Sequence, residues 1–216
     1  TWMIQSTCLM GVAPILTLTP LNAEGNFSNV LINCLVNRSA SVQQLIGELK
    51  ATMAAKGYRG LDIDFEYILE ADRDAYTAFV LTLTQAMHQE GYTVTVALAP
   101  KSSARYVSPL TDGLDYAALG AAVDHVLVMT YEWGYTYGPP MAVAPLPQVR
   151  QVMEYALTQI PREKLRMGIP NYGYDWTLPF VQGESRARTL GNVEAAAQAA
   201  EVGVEIQFDE TAQAPF

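Results

Sequence analysis

The stretch that decides the fold is residues 60–67, GLDIDFEY, in which acidic residues occupy every second position. Successive side chains of a β-strand point to opposite faces, so Asp62, Asp64 and Glu66 would share one face and the apolar residues the other. Taken alone, this alternation is equally typical of an antiparallel strand with one solvent face. The neighbouring segments decide between an exposed strand and a buried central one.

The segments on both sides of this stretch alternate between strand-like and helix-like patterns. One amphipathic helix is predicted from Ser41, which forms a capping box with Gln44, to a C-terminal Gly57, and another from Asp72 to Gly91. Further strands are predicted at 13–19, 93–99, 125–132, 165–172 and 204–208, a loop at 22–29, and helices at 115–122, 147–160 and 192–202. This alternation indicates parallel β/α units, as in an open doubly wound sheet or a barrel.

Two features favour the barrel. No strand is followed by a GxGxxG or Walker-type glycine loop, so a nucleotide-binding doubly wound sheet loses its main support. Polar and aromatic residues collect where strands end, at Asp64 and Glu66, at 131–133 and at 172–176. In a (β/α)8 barrel the chemistry lies at the carboxyl ends of the strands. The sequence therefore predicts an α/β fold of the (β/α)8 TIM-barrel type.

A central, parallel strand would direct the acidic face of residues 60–67 into the barrel. Burial and mutual repulsion raise the pKa values of neighbouring carboxyl groups in such a place. A carboxylic acid that stays protonated in a cleft can act as a general acid. Asp62, Asp64 and Glu66 are therefore the candidate catalytic residues.

Composition and charge exclude several classes of function. The 216 residues are 50% hydrophobic and 16% charged, as expected for one globular domain over residues 1–216. The net charge of −9 disfavours nucleic acids and anionic membranes as partners, and no apolar run approaches the roughly 20 residues of a membrane span. The cysteines and histidines form no metal-binding motif, so neither a metal nor another cofactor is expected. We expect buried thiols at Cys8 and Cys34, and structural roles for His88 and His125.

The acidic motif and two later segments resemble the family 18 glycoside hydrolases. The signature of that family is DxxDxDxE on the fourth strand of a (β/α)8 barrel, and residues 59–66, RGLDIDFE, match it except that Arg59 replaces the first aspartate. Residues 129–132, MTYE, and 168–173, GIPNYG, are similar to the family's segments on strands six and seven. Residues 60–68, 129–145 and 172–179 resemble more closely the spore-germination, cortex-lytic N-acetylglucosaminidase branch.

This resemblance implies how much of the barrel the chain covers. Residues 1–216 would form a partial catalytic domain with strands three to seven, and residues 177–216 an insertion before strand eight. The strands at Ile15 and at Met167 would then have unpaired edges, through which we expect the chain to self-associate unless it belongs to a longer molecule. An extracellular location, or one in the spore or cell wall, follows from the same resemblance.

The resemblance also implies a retaining, substrate-assisted mechanism, in which the 2-acetamido group of the sugar attacks its own anomeric carbon to form an oxazolinium ion. Glu66 would be the acid and base, Asp64 would hold the acetamido N–H, and Asp62 would share a proton with Asp64. Tyr131 would donate a hydrogen bond to the acetamido oxygen. The implied substrate-binding residues are Glu132, Trp133, Tyr172 and Trp176, although core packing is an equally ordinary role for each aromatic ring.

Three alternatives stay open beside cleavage of N-acetylglucosamine bonds in spore cortex peptidoglycan. One is a chitinase or another endo-acting glycosidase of the same family. A second is a lectin-like protein that binds the glycan without cleaving it, although Glu66, the acid that such proteins lose, is present. A third is an inactive fragment whose barrel is not closed.

Overall fold

The computed structural model describes residues 2–216. The helices are α1 (Trp2–Leu9), α2 (Asn29–Val36), α3 (Ser39–Lys56), α4 (Arg73–His88), α5 (Tyr116–Ala122), α6 (Leu146–Gln159) and α7 (Asn192–Val202). The strands are β1 (Ile15–Leu18), β2 (Gly60–Ile63), β3 (Thr93–Leu98), β4 (His125–Val128), β5 (Leu165–Met167), β6 (Tyr172–Asp175), β7 (Arg188–Gly191), β8 (Phe208–Asp209) and β9 (Ala214–Pro215). The chain forms two compact units, a first unit of Thr1–Val128 with Ala156–Arg166 and a second unit of Met129–Tyr155 with Met167–Phe216.

A five-stranded sheet lies at the centre of the first unit. Its strands follow one another in chain order, β1-β2-β3-β4-β5, so β1 and β5 are the outermost. The pairs β1·β2, β2·β3 and β3·β4 are parallel. Helices connect these strands, as parallel pairing requires. The α/β fold with a parallel sheet that the sequence predicts is confirmed.

Apolar side chains from the strands and from the two long helices make the core of the first unit. The predicted apolar face of α4 is buried throughout, at Tyr76, Phe79, Val80, Leu83 and Met87. The face of α3 is buried at Val42, Ile46, Leu49 and Met53. This helix ends at Gly57, whose φ of 81° is the left-handed C-cap that the sequence predicts. Helix periodicity therefore located both faces correctly.

Helix α2 is tied to the start of α4 by a buried carboxylate. Asp72, directly before α4, accepts hydrogen bonds from Nδ2 of Asn33 at 2.7 Å and from Nδ2 of Asn37 at 2.9 Å. The two amides satisfy a carboxylate that is nearly inaccessible to solvent.

Several predicted helix boundaries are wrong. Helix α3 begins at Ser39 with Arg38 as its N-cap, so Ser41 forms no capping box. Helices α1 and α2 are not among the predicted elements; α2 contains Asn, Val, Ile and Cys, which are weak helix formers, and its N-cap is Ser28. No residue of α1 is buried and α2 buries only Ile32, so Cys8 is exposed and Cys34 half-buried, contrary to the prediction of buried thiols.

Several predicted strands are also wrong. The predicted strand 165–172 is divided between β5 and β6, which belong to different sheets, because Pro170 lacks the N–H that a strand needs for pairing. β2 and β4 end four residues earlier than predicted, at Ile63 and at Val128. Of the predicted strand 204–208, only Phe208 lies in a strand, β8. Gln207 exchanges two backbone hydrogen bonds with Phe216, whereas residues 204–206 have no partner strand among the described residues and stay exposed.

The second unit contains two small antiparallel sheets. β6 pairs with β7 from Tyr172 opposite Gly191 to Asp175 opposite Arg188, and β8 pairs with β9. The buried Thr130 hydroxyl donates to the carbonyl of Gly168 at 2.8 Å and links two loops of this unit. Gly134 is required by packing, because a Cβ there would lie 2.0 Å from the carbonyl oxygen of Met141.

Candidate active site

The three acidic residues of the motif lie at the carboxyl end of β2. Asp62 is within the strand, and Asp64 and Glu66 follow it. The chain stays extended past the strand end, because the N–H of Asp64 donates to the carbonyl of Leu18 at 3.0 Å. The element that holds these carboxyl groups is therefore the second strand of a parallel sheet, as predicted.

Burial follows the predicted alternation as far as Glu66. The apolar residues Leu61, Ile63 and Phe65 are buried, while the acidic residues between and after them are half-buried. Tyr67 departs from the pattern, since its φ of 60° turns the chain and leaves 45% of the residue exposed. The acidic face is thus shared by three residues, and the apolar face ends one residue earlier than predicted.

The two aspartates of the motif resist ionisation. Burial, together with the charge of Asp64, raises the pKa of Asp62 to about 6, while a hydrogen bond from the Thr17 hydroxyl at 3.4 Å opposes this rise. Burial also raises the pKa of Asp64. Oδ1 of each aspartate is buried without a hydrogen-bond partner among residues 2–216. The pair therefore tends to retain a proton at weakly acidic pH.

An aromatic cluster from α4 supports the end of β2. Phe65 stacks on Tyr76 with ring centroids 5.8 Å apart and on Phe79 at 5.6 Å. Burial and the charges of Asp64 and Asp62 raise the pKa of the Tyr76 hydroxyl far above its ordinary value. Tyr76 is therefore a neutral phenol, close enough to both aspartates for their charges to raise its pKa. Its place on a predicted apolar helix face did not indicate this proximity to the acidic residues.

In the second unit, Glu132 is held by two tyrosines of β6. Its Oε1 accepts a hydrogen bond from the hydroxyl of Tyr172, and the hydroxyl of Tyr174 lies 2.7 Å from Oε1 and 2.9 Å from Oε2. Burial and the carboxylate of Glu132 raise the pKa of both tyrosines, that of Tyr174 to about 12. Both phenols are thus protonated donors at neutral pH. We call Glu132, Tyr172 and Tyr174 the tyrosine clamp.

The clamp continues into a row of aromatic rings. Tyr172 and Tyr174 meet edge to face at 5.9 Å, and Tyr174 lies 5.8 Å from Trp176. Nε1 of Trp176 donates to the carbonyl of Gly138 at 2.8 Å. Alternate residues of a strand share a face, so the spacing 172, 174, 176 already contained the signal for Tyr174, which was not among the predicted site residues.

The predicted residues thus fall into two groups. Asp62, Asp64 and Glu66 lie together in the first unit. In the second unit, Glu132, Tyr172 and Trp176 are connected through Tyr174, and Tyr131 is close enough to raise the pKa of Tyr172. Trp133 is half-buried, and its backbone N–H donates to the carbonyl of Val143 at 3.0 Å.

Both histidines make side-chain contacts within residues 2–216. That part of the chain contains no cluster of three or more His, Cys, Asp or Glu residues suited to a metal ion. Nε2 of His88 lies 2.8 Å from Asp124, and Nδ1 of His125 lies 3.2 Å from an Arg166 nitrogen. None of the described helices is long and apolar enough to cross a membrane.

The family model described as "Glycosyl hydrolases family 18" matches residues 21–216. The chain belongs to glycoside hydrolase family 18. This family 18 chain is 42% identical over 212 residues to the cortical fragment-lytic enzyme of Bacillus subtilis (strain 168). The aligned region covers 98% of this chain and 48% of that enzyme. The chain thus spans about half the length of this relative and of the cortical fragment-lytic enzymes of Bacillus anthracis and Bacillus cereus.

Two solved structures share the fold of this family 18 chain. The spore cortex-lytic enzyme SleL of Bacillus megaterium QM B1551 superimposes with a TM-score of 0.93 at 34% identity, covering 100% of this chain and 49% of that one. SleL of Bacillus cereus gives a TM-score of 0.92 at 36% identity, covering 99% of this chain and 49% of that one. The resemblance to family 18 and its cortex-lytic members, proposed from three motifs, is confirmed.

Proposed function

We propose that this family 18 chain is the central part of a catalytic domain that hydrolyses β-linked N-acetylglucosamine bonds in spore cortex peptidoglycan. The observation that carries the proposal is the row of three half-buried acidic residues at the end of β2, with the pKa of Asp62 raised to about 6. A proton-retaining carboxyl pair beside a third carboxyl is suited to general acid catalysis at weakly acidic pH. The 42% identity to a cortical fragment-lytic enzyme supports the choice of substrate.

The proposed reaction is retaining and substrate-assisted. Glu66 donates its proton to the glycosidic oxygen while the acetamido carbonyl oxygen bonds to the anomeric carbon, which releases the leaving sugar and forms an oxazolinium ion. The Glu66 carboxylate then takes a proton from water as the water oxygen attacks the anomeric carbon. The ring opens, the acetamido group is restored, and Glu66 is again an acid.

Asp64 and Asp62 have supporting roles in this proposal. Asp64 accepts a hydrogen bond from the acetamido N–H and balances the positive charge of the oxazolinium ion. Asp62 shares one proton with Asp64, so the pair carries a single negative charge at weakly acidic pH. The raised pKa values of both aspartates support this sharing.

For the second unit we propose substrate binding. Tyr131 donates a hydrogen bond to the acetamido oxygen, and Glu132, oriented by the tyrosine clamp, binds sugar hydroxyl groups. Trp133, Tyr172 and Trp176 offer rings that suit the faces of sugars. The half-burial of all three rings supports such a role over complete burial in a core.

We further propose that β1 to β5 correspond to strands three to seven of the family's barrel, within a domain that includes residues 1–216, and that residues 177–216 are an insertion before strand eight. The parallel pairing of the strands in chain order supports this assignment. The proposed site of action is the spore or cell wall.

The test compares Glu66→Gln with the wild-type protein on cortex peptidoglycan fragments. We expect kcat to fall at least about a hundred-fold with little change in substrate binding, because the amide keeps the shape and cannot donate a proton. Glu70→Gln, on an exposed residue four positions away, is the matched control and should leave kcat unchanged. Turnover by Glu66→Gln above a few per cent of wild type would contradict the assignment of the acid.

The same assay tests the substrate and the stereochemistry. Hydrolysis of N-acetylglucosamine oligomers without any hydrolysis of cortex fragments would replace the cortex-lytic proposal by a chitinase. The first product, observed by proton NMR before mutarotation, should keep the β configuration. An α product would exclude the oxazolinium route.

A further inference from the structure

We propose that Arg186 and Tyr137 form a recognition site for a carboxylate group carried by the glycan, at the far end of the aromatic row that starts at the tyrosine clamp. This inference rests on the proposed function and deepens it, because it names the chemical group that distinguishes one glycan from another. All the residues that carry it belong to the second unit.

Gly138 connects Trp176, the end of the aromatic row, to the rings of Tyr135 and Tyr137. The indole N–H of Trp176 is fixed on the carbonyl of Gly138 at 2.8 Å. The ring of Tyr135 lies directly against Gly138, since a Cβ at that glycine would be 2.7 Å from Cε1 of the ring. Tyr135 and Tyr137 then meet edge to face with their centroids 6.4 Å apart. The row thus connects the clamp to the loop that carries Tyr137.

Backbone hydrogen bonds hold Arg186 over this loop. The N–H of Ala187, a buried residue, donates to the carbonyl of Thr136 at 2.8 Å. The loop itself is closed by a bond from the N–H of Gly138 to the carbonyl of Tyr135 at 3.1 Å. Arg186, the neighbour of Ala187, consequently places its guanidinium carbon 5.5 Å from the ring centroid of Tyr137. This stacking orders the cation without consuming its N–H donors.

The guanidinium is available to a ligand. Arg186 is exposed, as are Tyr135 at 42% and Tyr137 at 56%. Within residues 2–216, the arginine that forms ion pairs with acidic side chains is Arg188, which lies 3.5 Å from Asp175 and 3.0 Å from Glu194. Arg186 makes no such pair there, in a protein whose net charge is −9. An ordered cation without an internal carboxylate partner is suited to an external one.

The chemistry of the two glycans would let this site distinguish peptidoglycan from a homopolymer of N-acetylglucosamine. A homopolymer of N-acetylglucosamine is neutral, whereas peptidoglycan contains sugars with a lactyl ether that ends either in its own carboxylate or in a short peptide with a terminal carboxylate. The rings of the row suit the faces of sugars in both polymers. Only the carboxylate-bearing polymer can form the paired N–H···O hydrogen bonds that a guanidinium offers.

The test measures binding of three oligosaccharides of equal length by isothermal titration calorimetry. One is a neutral N-acetylglucosamine oligomer, one carries free lactyl carboxylates, and one carries lactyl groups extended by a short peptide. The protein has the Glu66→Gln change, so that no turnover occurs, and is compared with and without Arg186→Gln. Arg150→Gln, on an exposed arginine of α6 in the same unit, removes the same charge and is the matched control.

We expect Arg186→Gln to raise Kd at least about ten-fold for a carboxylate-bearing oligosaccharide and to leave Kd for the neutral oligomer unchanged. If Kd rises only for the free lactyl ligand, or only for the peptide-bearing ligand, the result identifies which carboxylate the site binds. Arg186→Lys should recover only part of the affinity, because an ammonium group lacks the planar pair of donors. Each of these results supports the site.

The inference would be overturned if Arg186→Gln changed Kd equally for neutral and charged ligands, or changed Kd for no ligand. It would also be overturned if Arg150→Gln changed Kd as much as Arg186→Gln does. Failure of the proposed function is recognised separately. In that case the protein with Glu66 intact binds the carboxylate-bearing oligosaccharide in an Arg186-dependent way and does not hydrolyse it.

Discussion

At the scale of single residues, the carboxyl group of Asp62 ionises less readily in the folded protein than in the unfolded chain. Its pKa is raised from 3.8 to about 6, first by burial and then by the charge of Asp64. The folded state therefore binds more protons than the unfolded state between these pH values, and stability falls as the pH rises through this window. The proposed chemistry needs this pair of carboxyl groups, so Asp62 is kept at a cost in stability.

Asp62→Asn should therefore stabilise the protein at neutral pH. The amide stays neutral at every pH, and we expect a gain of about 1–2 kcal/mol in the free energy of unfolding at neutral pH, after allowing for partial solvent exposure. At about pH 4, where the wild-type carboxyl group is itself protonated, the gain should vanish. Urea unfolding at both pH values measures this, with the exposed Glu24→Gln as control. A gain that is equal at both pH values would show that ionisation is not its cause.

Glu132 is a second residue that combines a cost in stability, here backbone strain, with a proposed functional role. Its φ of 68° lies in the left-handed region, which costs a non-glycine residue on the order of 1 kcal/mol or more. The hydrogen bonds from Tyr172 and Tyr174 hold the carboxylate in place and help to offset this strain. Tyr174 thereby positions a residue that we propose to bind sugar.

At the scale of elements, buried polar contacts decide where short helices lie. Helix α2 has eight residues and buries only Ile32, so its apolar contacts are few. It is instead connected to the start of α4 through Asp72, which accepts hydrogen bonds from Asn33 and Asn37. A helix of this length is marginal on its own and depends on such tertiary contacts.

We expect Asp72→Ala to lower the free energy of unfolding by about 1–2 kcal/mol, because the change removes the acceptor of both amide hydrogen bonds between α2 and the start of α4, while the amides, on exposed residues, can bind water instead. Urea unfolding at neutral pH measures the loss. Asp74→Ala, on an exposed residue in the first turn of α4, is the control and should cost less than about 1 kcal/mol. Equal losses for the two variants would show that the helix terminus matters and the link to α2 does not.

At the scale of the whole molecule, the five-stranded sheet has two outer strands, β1 and β5. Ile15 of β1 and Met167 of β5 are both exposed. An uncovered strand edge presents unpaired N–H and C=O groups and is a template for pairing with another chain. We therefore expect these 216 residues, taken without any further part of the domain, to self-associate through these edges.

Sedimentation velocity over a range of protein concentrations tests this expectation. If the chain self-associates, its average mass rises with concentration. Ile15→Lys should reduce association, because a charge on an edge strand opposes pairing. Val193→Lys is the matched control, since Val193 is 87% exposed and lies on α7, outside the five-stranded sheet. A monomer at every concentration, or equal effects of the two substitutions, would contradict edge pairing.

The sequence by itself determined the features that depend on side-chain period. The alternation in residues 60–66 placed the acidic groups on one face, because neighbouring side chains of an extended chain point in opposite directions whatever surrounds them. The faces of α3 and α4 followed from the helical repeat, and the end of α3 at Gly57 followed from the ease with which glycine adopts a positive φ.

Only the tertiary structure decided where strands end and which distant groups meet. β6 lies outside the parallel sheet and pairs with β7, since strand pairing depends on a partner that no local pattern identifies. Tyr174 reaches Glu132 across 42 residues of sequence, and Arg186 lies over Tyr137 through a backbone bond between two loops. Hydrogen bonds and ring contacts of this kind depend on positions in space to within a few tenths of an ångström, which residue spacing along the chain does not specify.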